Sequence, residues 1–293
     1  MSRKRGGAHR IAGTQLAELA GRLTPEDRAL CRLLAEHQVL AADHIAGLLY
    51  GSTHTTRHRL LALQRLRVVD RFRPLVPLGE GSAPYHYVLG EAGAIVLAAE
   101  LGVEPHRLGY RRDRALAIAH SPRLPRLLAT NQFFAALAAA ARRQSGAALL
   151  EWWPAGRCAQ QWGELVQPDA YGRWREAGTE IDFFLEIPQP DHDERASGAF
   201  DPGQAGGSGG GWVQGLAQRL AGYATLAAGT QIPTPVLVWF PTAHLEAQAR
   251  AGLPVLPVPA ATAHPDPAGP AGAVWLALGA TGPRRRLAAL ASS

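Results

Sequence analysis

The stretch from residue 39 to residue 89 has the most regular pattern of apolar and polar positions in the chain. Residues 41–50 place apolar side chains at helical spacing, and Gly51 then breaks the pattern. Ser52 is of a type that caps helices, and residues 53–67 resume a helical pattern whose apolar side carries Thr56, Leu60 and Leu63. The pattern predicts two short helices joined by a tight turn.

The opposite side of the second predicted helix is basic. It carries His54, Arg57, His58, Leu61 and Arg65. Strands are predicted at 68–73 and 85–89, around a turn rich in glycine and proline, with Arg71 and Arg73 at the base of the hairpin. Two helices followed by a hairpin are typical of a winged helix-turn-helix, whose second helix enters the major groove. The alternative is a helical hairpin and a β-hairpin with solvated arginines.

The DNA-binding interpretation assigns two roles to side chains of this region. We expect base edges to be contacted by His54, Thr55, Arg57, His58 and Arg65. We expect phosphates to be held by Ser52, Thr53, Arg59, Arg71 and Arg73.

The distribution of charge supports this interpretation. The chain has 293 residues, a length typical of about two domains, and a formal net charge of +6. Residues 1–120 contain 17 Lys/Arg and 11 Asp/Glu, a net charge of +6, whereas residues 121–293 contain 13 of each. The positive excess therefore lies in the half that contains the predicted helix-turn-helix, as expected if that half meets phosphates.

Cysteines and long apolar segments are scarce. Cys31 and Cys158 are far apart and form no disulfide framework or paired metal motif, and Cys31 is expected to be buried on a helix. No apolar run of about 18 residues is present. We therefore expect a cytoplasmic protein with no membrane partner.

A helix is predicted from Pro25 to His37, with Thr24 as its cap and Asp27 at its third position.

The pattern divides the chain into five segments. The predicted segments are a basic flexible arm (1–22), the winged helix-turn-helix domain (23–105), a basic linker (106–122), an α/β domain (123–282) with a disordered insert at 188–211, and a tail (283–293).

Two carboxylates stand out in the second half, where the predicted order of elements is α-β-β-β-α-β-α-β. Asp169 precedes a strand, and Glu186 ends the next apolar strand 17 residues later. A hairpin of that length can bring both side chains to one edge of a sheet, where they could hold a divalent cation such as Mg²⁺. The alternative is that they are turn and edge residues, or remnants of a lost site.

The predicted order of elements resembles the PD-(D/E)xK nuclease fold, and this resemblance implies a lysine two residues after the second acid. Pro188 stands at that place, and Lys4 is the only lysine of the chain. Arg219 and Gln218 on the following predicted helix are the only nearby substitutes, but arginine stays protonated and is a poor base. We therefore expect a restriction-endonuclease-like fold, and the missing lysine argues against cleavage. We expect no cofactor; the alternative is Mg²⁺, if the site does cleave DNA.

A longer resemblance runs from Leu23 to Arg250. The matching stretches are LTPEDRALCRLLAEHQVL, LLYGSTHTTRHRLLALQRLRVVDRF, YHYVLGEAGA, NQFFAAL, PDAYGRW, FFLE, LAGYATL and PVLVWFPT. In their order and spacing the sequence resembles the actinobacterial replication-relaxation family, which is tied to plasmid and mobile-element replication and DNA relaxation. The resemblance implies an α+β protein, an N-terminal winged helix-turn-helix followed by a mixed α/β restriction-endonuclease-like domain. The sequence departs from the family pattern after Glu186: in the next predicted helix, Arg219 stands where the family has a lysine.

Three functions are compatible with these patterns. The leading expectation is a homodimeric double-stranded DNA-binding protein of a plasmid or mobile element, which recruits replication or conjugation proteins in replication initiation, relaxation or transfer. The second is a metal-dependent nickase that uses Asp169 and Glu186 as metal ligands and Arg219 as a further catalytic residue. The third is a winged-helix transcription regulator whose second half senses a ligand or partner.

Overall fold

A computed structural model describes residues 19, 21–74, 83–189 and 211–291. The chain divides into two compact units, residues 1–122 and 123–293. Each unit combines helices with its own sheet, so the α+β class is confirmed. The predicted arm (apart from positions 19, 21 and 22), part of the glycine/proline turn and nearly all of the predicted insert lie outside the described residues.

The first unit begins with a helix and contains three short strands. Its helices and strands are α1 (Pro25–His37), β1 (Leu40–Ala41), α2 (Ala42–Ile45), α3 (Thr53–Arg65), β2 (Val69–Phe72), β3 (His86–Leu89), α4 (Glu91–Glu100) and α5 (Arg112–Ala117). Short 3₁₀ turns lie at Pro105–Leu108 and Ile118–His120.

Helix α1 begins at the capping box that the sequence predicts. The Thr24 hydroxyl accepts a hydrogen bond from the Asp27 amide (3.3 Å), and the Asp27 carboxylate accepts one from the Thr24 amide (2.7 Å). Pro25 occupies the first turn, where its missing N–H costs nothing. The predicted bounds of this helix are confirmed.

The predicted helix over 41–50 is divided in the structure. Helix α2 continues into a π-helical turn, Ala46–Tyr50, in which the Gly51 amide donates to the Ala46 carbonyl at 2.7 Å. Gly51 ends the turn with a φ of 71°, a left-handed conformation that glycine adopts without strain. Helix α3 follows and ends two residues earlier than predicted.

The strands of the first unit form a three-stranded antiparallel sheet in the order β1-β3-β2. The predicted hairpin strands are present as β2 and β3. The sequence did not predict β1, because two residues are too few to show a periodic pattern. Residues 106–122, expected to form a linker, fold onto the first unit: the Tyr110 hydroxyl donates to the Leu89 carbonyl (3.1 Å), and Arg112 pairs with Asp70 at 2.8 Å.

The second unit contains a six-stranded mixed sheet in the order β4-β5-β6-β7-β8-β9. Strands β6, β7 and β8 are parallel to one another, and the remaining neighbours are antiparallel. Its helices and strands are α6 (Leu124–Arg143), β4 (Ala147–Pro154), α7 (Ala155–Trp162), β5 (Ala170–Glu176), β6 (Thr179–Glu186), α8 (Gly211–Thr230), β7 (Val236–Trp239), α9 (Ala243–Gly252), β8 (Ala260–Ala263) and β9 (Leu276–Ala277).

Apolar side chains pack on both faces of this sheet. One cluster joins Phe133 and Phe134 of α6 to Phe183 of β6, and the other joins Leu220 of α8 to Phe184 of the same strand. Alternate residues of β6 therefore face opposite layers, as strand geometry requires.

The remaining differences from the predicted elements are local. Helix α7 and strand β8 were not predicted, because α7 has a single buried residue, Cys158, and β8 is an alanine-rich segment of four residues. Residues 283–291, expected to be a tail, contribute Leu287 and Leu290 to the core. Among the described helices, none combines the length and the apolar character needed to cross a bilayer.

Candidate functional site

Helix α3 has a buried side and an exposed side. Thr56, Leu60 and Leu63 are fully buried, so this side packs in the first unit. The five residues expected at base edges are all exposed: His54, Thr55, Arg57, His58 and Arg65. The rings of His54 and His58 lie next to each other, with centroids 4.6 Å apart. The helix thus presents to solvent the side chains that the sequence assigned to base contacts.

The first turn of α3 carries two of the residues expected at phosphates. Ser52 and Thr53 are exposed, and the Ser52 hydroxyl caps the helix by accepting a hydrogen bond from the Thr55 amide at 3.4 Å. The N-terminus of a helix carries partial positive charge and free amides, which favour an anion. Both residues therefore lie where a phosphate could be held.

Arg59, also expected at a phosphate, is engaged elsewhere. Its guanidinium makes a bidentate ion pair with the fully buried Asp27, with Nε 2.8 Å from Oδ1, and donates to the Arg22 carbonyl at 3.1 Å. Tyr50 donates a further hydrogen bond to Asp27 at 2.7 Å. A guanidinium held in this way anchors α3 to α1, so we withdraw Arg59 from the DNA-binding residues.

The same contacts set the ionisation of Asp27. Burial alone would raise the pKa of this carboxyl, but hydrogen bonds from Arg59, Thr24 and Tyr50 outweigh burial and lower the pKa below its ordinary value. Asp27 is therefore a charged anchor at neutral pH, and its charge is compensated inside the unit.

Arg71 and Arg73 meet an aromatic residue that immediately precedes the neighbouring strand β3. The guanidinium carbon of each lies 3.9 Å from the centroid of the Tyr85 ring. Arg71 also hydrogen bonds to the buried Tyr87, the residue it faces across the β2–β3 pair. Burial raises the pKa of Tyr87, and Arg71 and Arg57 oppose that rise. The two hairpin arginines therefore pack on the same tyrosine ring, that of Tyr85.

We call the exposed histidines and arginines of α3, together with the two arginines of the hairpin, the basic face. Its members are His54, Arg57, His58, Arg65, Arg71 and Arg73. The sequence had not singled out Tyr85 and Tyr87, although two tyrosines at alternate positions in or beside β3 and two arginines at alternate positions in or beside β2 were a visible signal.

The second unit brings Asp169 and Glu186 to the same edge of its sheet. Asp169 precedes β5 and donates its amide to the Leu185 carbonyl at 3.0 Å. Its carboxylate accepts a hydrogen bond from the Ile187 amide at 2.8 Å, immediately after Glu186 at the end of β6. The two carboxylates are thus neighbours in space, although 17 residues separate them in sequence.

Two arginines and a tyrosine accompany this carboxylate pair. Arg126 Nη1 lies 3.8 Å from Asp169 Oδ1, and Arg219 Nε lies 3.6 Å from Glu186 Oε2. Tyr223 donates a hydrogen bond of 2.5 Å to Glu186 Oε1. Sequence reasoning found Arg219 but missed Arg126 and Tyr223. Tyr223 could have been found, because it follows Arg219 by four residues on one helix face.

Glu186 is almost completely buried, with 2% of its surface exposed. Burial raises the pKa of its carboxyl to about 7, and the charge of Asp169 adds to that rise, while Arg219, Tyr223 and Arg126 oppose it. The Glu186 carboxyl is therefore protonated more easily than an exposed glutamate.

This donor set does not fit Mg²⁺. The ion prefers six oxygen ligands in a nearly octahedral arrangement. The part of the chain that the structure describes contains no group of three His, Cys, Asp or Glu side chains placed to hold a metal. Each carboxylate of the pair already has a guanidinium within 4 Å and accepts a hydrogen bond. The charge of the pair is thus balanced by arginines.

The fold and these sites define an α+β protein with a cationic helix-and-hairpin surface on one unit and an arginine-balanced carboxylate pair on the other. The family model described as replication-relaxation matches residues 31–190, which is more than half of the chain. The chain belongs to the replication-relaxation family, and this membership indicates a role in the replication or relaxation of plasmids or mobile elements. No curated protein and no solved structure matches the chain significantly.

Proposed function

We propose that the chain is a sequence-specific double-stranded DNA-binding protein of a plasmid or mobile element, acting in replication initiation, relaxation or transfer. The first unit is a winged helix-turn-helix in which α2 and α3 are the two helices and β2–β3 is the wing. Helix α3 enters the major groove, and the protein recruits other replication or conjugation proteins to the bound site.

The exposure of the α3 side chains of the basic face is the observation that carries this proposal. A short helix with one fully buried apolar side and one cationic exposed side suits a groove lined by phosphates and base edges. Arg57 and Arg65 are both exposed, and arginine is the side chain that most often reads guanine. Arg71 and Arg73 lie on the hairpin, where a wing contacts the backbone beside the groove.

Selection from a randomised duplex library tests the proposal. We expect the full chain to enrich a defined sequence, and a homodimer to enrich two inverted half-sites. The double variant Arg57→Ala plus Arg65→Ala should lose about 2–6 kcal/mol of discrimination between the selected and a scrambled duplex, because two base contacts disappear.

A charge-matched control distinguishes base reading from general attraction. Arg32→Ala plus Arg107→Ala removes two exposed positive charges from the same unit but away from α3. It should keep the discrimination of the wild-type chain. Equal discrimination in both double variants would show that α3 does not read the sequence.

The second unit is proposed to be a restriction-endonuclease-like scaffold that does not cleave. The proposal is supported by the order α6-β4-α7-β5-β6-α8-β7, in which a helix, three antiparallel strands with the short α7 between the first two, a helix and a strand follow one another. A nickase remains the alternative, because Asp169 and Glu186 do lie side by side. Nicking of supercoiled plasmid with Mg²⁺ or Mn²⁺ by the wild-type chain, lost in Asp169→Ala, would establish the nickase and refute our proposal.

A further inference from the structure

The first unit contains a cavity of about 540 Å³ that is separate from the basic face. One wall is formed by α1 and α4, through Leu34 and Leu97. The other wall is formed by residues 108–121, through Leu108 and Ile118. Its volume lies within the range of sites that bind small molecules.

The wall formed by residues 108–121 is only partly packed. Neither α5 nor the two 3₁₀ turns beside it contains a buried residue, and Leu108 and Ile118 are half-buried. The segment is nevertheless held to the unit by the hydrogen bond between Tyr110 and Leu89 and by the ion pair between Arg112 and Asp70. The apolar side chains of residues 108–121 therefore border the cavity, although the segment itself is fixed to the unit.

The charged residues that line the cavity are both cationic. Arg111 and Arg114 both line it, whereas none of the residues that line it is acidic. Arg111 is paired with Asp113 at 2.8 Å. Arg114 has no carboxylate within 4 Å among the residues that the structure describes. An apolar chamber with two guanidiniums matches a ligand with an apolar body and one anionic group.

The same charges disfavour a second copy of the chain as the occupant. A symmetric contact would place this surface against itself. It would bring the exposed Arg107 and Arg114 of one copy, for which the described residues offer no ion pair, close to the same arginines of the other. Like charges across an interface are costly, so a small anion fits the surface better.

We propose that this cavity binds a small organic acid, with its apolar body between Leu34, Leu97 and Ile118 and its carboxylate at Arg111 and Arg114. This inference does not depend on DNA binding, since none of the lining residues belongs to the basic face.

Displacement of the fluorescent probe 8-anilinonaphthalene-1-sulfonate from the full chain tests the proposal. Octanoate should displace the probe from one saturable site, and octan-1-ol, which has the same chain without the charge, should compete much less. Arg111→Gln plus Arg114→Gln should weaken octanoate at least about tenfold, because it removes the charged partners of the carboxylate. Ala35→Trp, which places a large ring in the cavity from α1, should weaken both the probe and octanoate.

The charge-matched control is Arg32→Gln plus Arg107→Gln, two exposed arginines that do not line the cavity. It should bind octanoate as the wild-type chain does. Equal binding of octanoate by wild type and by the Arg111/Arg114 variant, or equal competition by octanoate and octan-1-ol, would overturn the proposal. A change of oligomeric state in Ala35→Trp with unchanged octanoate binding would also overturn it, in favour of a second copy as the occupant.

Discussion

At the scale of single residues, Asp27 shows how one buried charge can organise a unit. Its carboxylate completes the capping box of α1, accepts a hydrogen bond from the Tyr50 hydroxyl of the π-helical turn, and forms an ion pair with Arg59 of α3. The sequence predicted the cap, because cap and partner are three residues apart. It could not predict the Arg59 pair, because the partners are 32 residues apart and only packing brings them together.

Replacing Asp27 with alanine should lower the free energy of unfolding of the first unit by roughly 3 kcal/mol. The change removes one acceptor from three donors, and Arg59 is exposed enough to regain part of its hydration. All seven tryptophans belong to the second unit. The transition followed by circular dichroism should therefore shift, while the transition followed by tryptophan fluorescence should stay in place.

Asp113→Ala is the matched control, because Asp113 pairs with Arg111 at an exposed position of the same unit. It should leave both transitions essentially unchanged. Equal shifts in the two variants would show that Asp27 is not an anchor.

At the scale of elements, the basic face is shared between a helix and a hairpin. The sequence predicted α3, β2 and β3 well, because each shows its own period and each is long enough to display it. The contact between Arg71, Arg73 and Tyr85 depends on the register of β2 and β3, which the pattern of either strand alone does not fix. In the second unit, the approach of Asp169 to Glu186 was predictable from a hairpin, but the approach of Arg126 and Tyr223 was not, since it depends on how two helices pack on the sheet.

Arg71→Ala plus Arg73→Ala should weaken binding to every duplex to a similar extent. Each phosphate contact contributes about −0.9 to the slope of log K against log salt, so the slope should become shallower by about 2. Fluorescence anisotropy of a labelled duplex at several salt concentrations measures this slope. Arg32→Ala plus Arg107→Ala is the control. An unchanged slope would mean that the hairpin does not reach the backbone.

At the scale of the whole molecule, two units with different ionisation behaviour share one chain. Burial lowers the pKa of His37 in the first unit to about 3, whereas burial raises the pKa of Glu186 in the second to about 7. His37 favours folding above its ordinary value of 6.5, and that stability is lost as the pH falls below it. Glu186 contributes stability at low pH that is lost as the pH rises through about 7.

Acidification from about pH 7.5 to about pH 5 should therefore act on the two units in opposite directions. The first unit should lose about 2 kcal/mol through His37 alone. The second unit, followed by tryptophan fluorescence, should unfold at a higher temperature, and Glu186→Gln should remove that rise. A parallel response of both units, or a rise that persists in Glu186→Gln, would contradict this assignment.

The central claim is that the exposed side of α3 lies against DNA, and a tethered cleavage reagent tests it most directly. Both native cysteines are buried, and burial raises the pKa of each thiol to about 12, so a new surface cysteine can be labelled selectively. An iron–EDTA group attached to His58→Cys should cut the selected duplex at a defined position, whereas the same group on Arg107→Cys should not. Binding without cleavage from His58→Cys, or equal cleavage from both positions, would contradict the account.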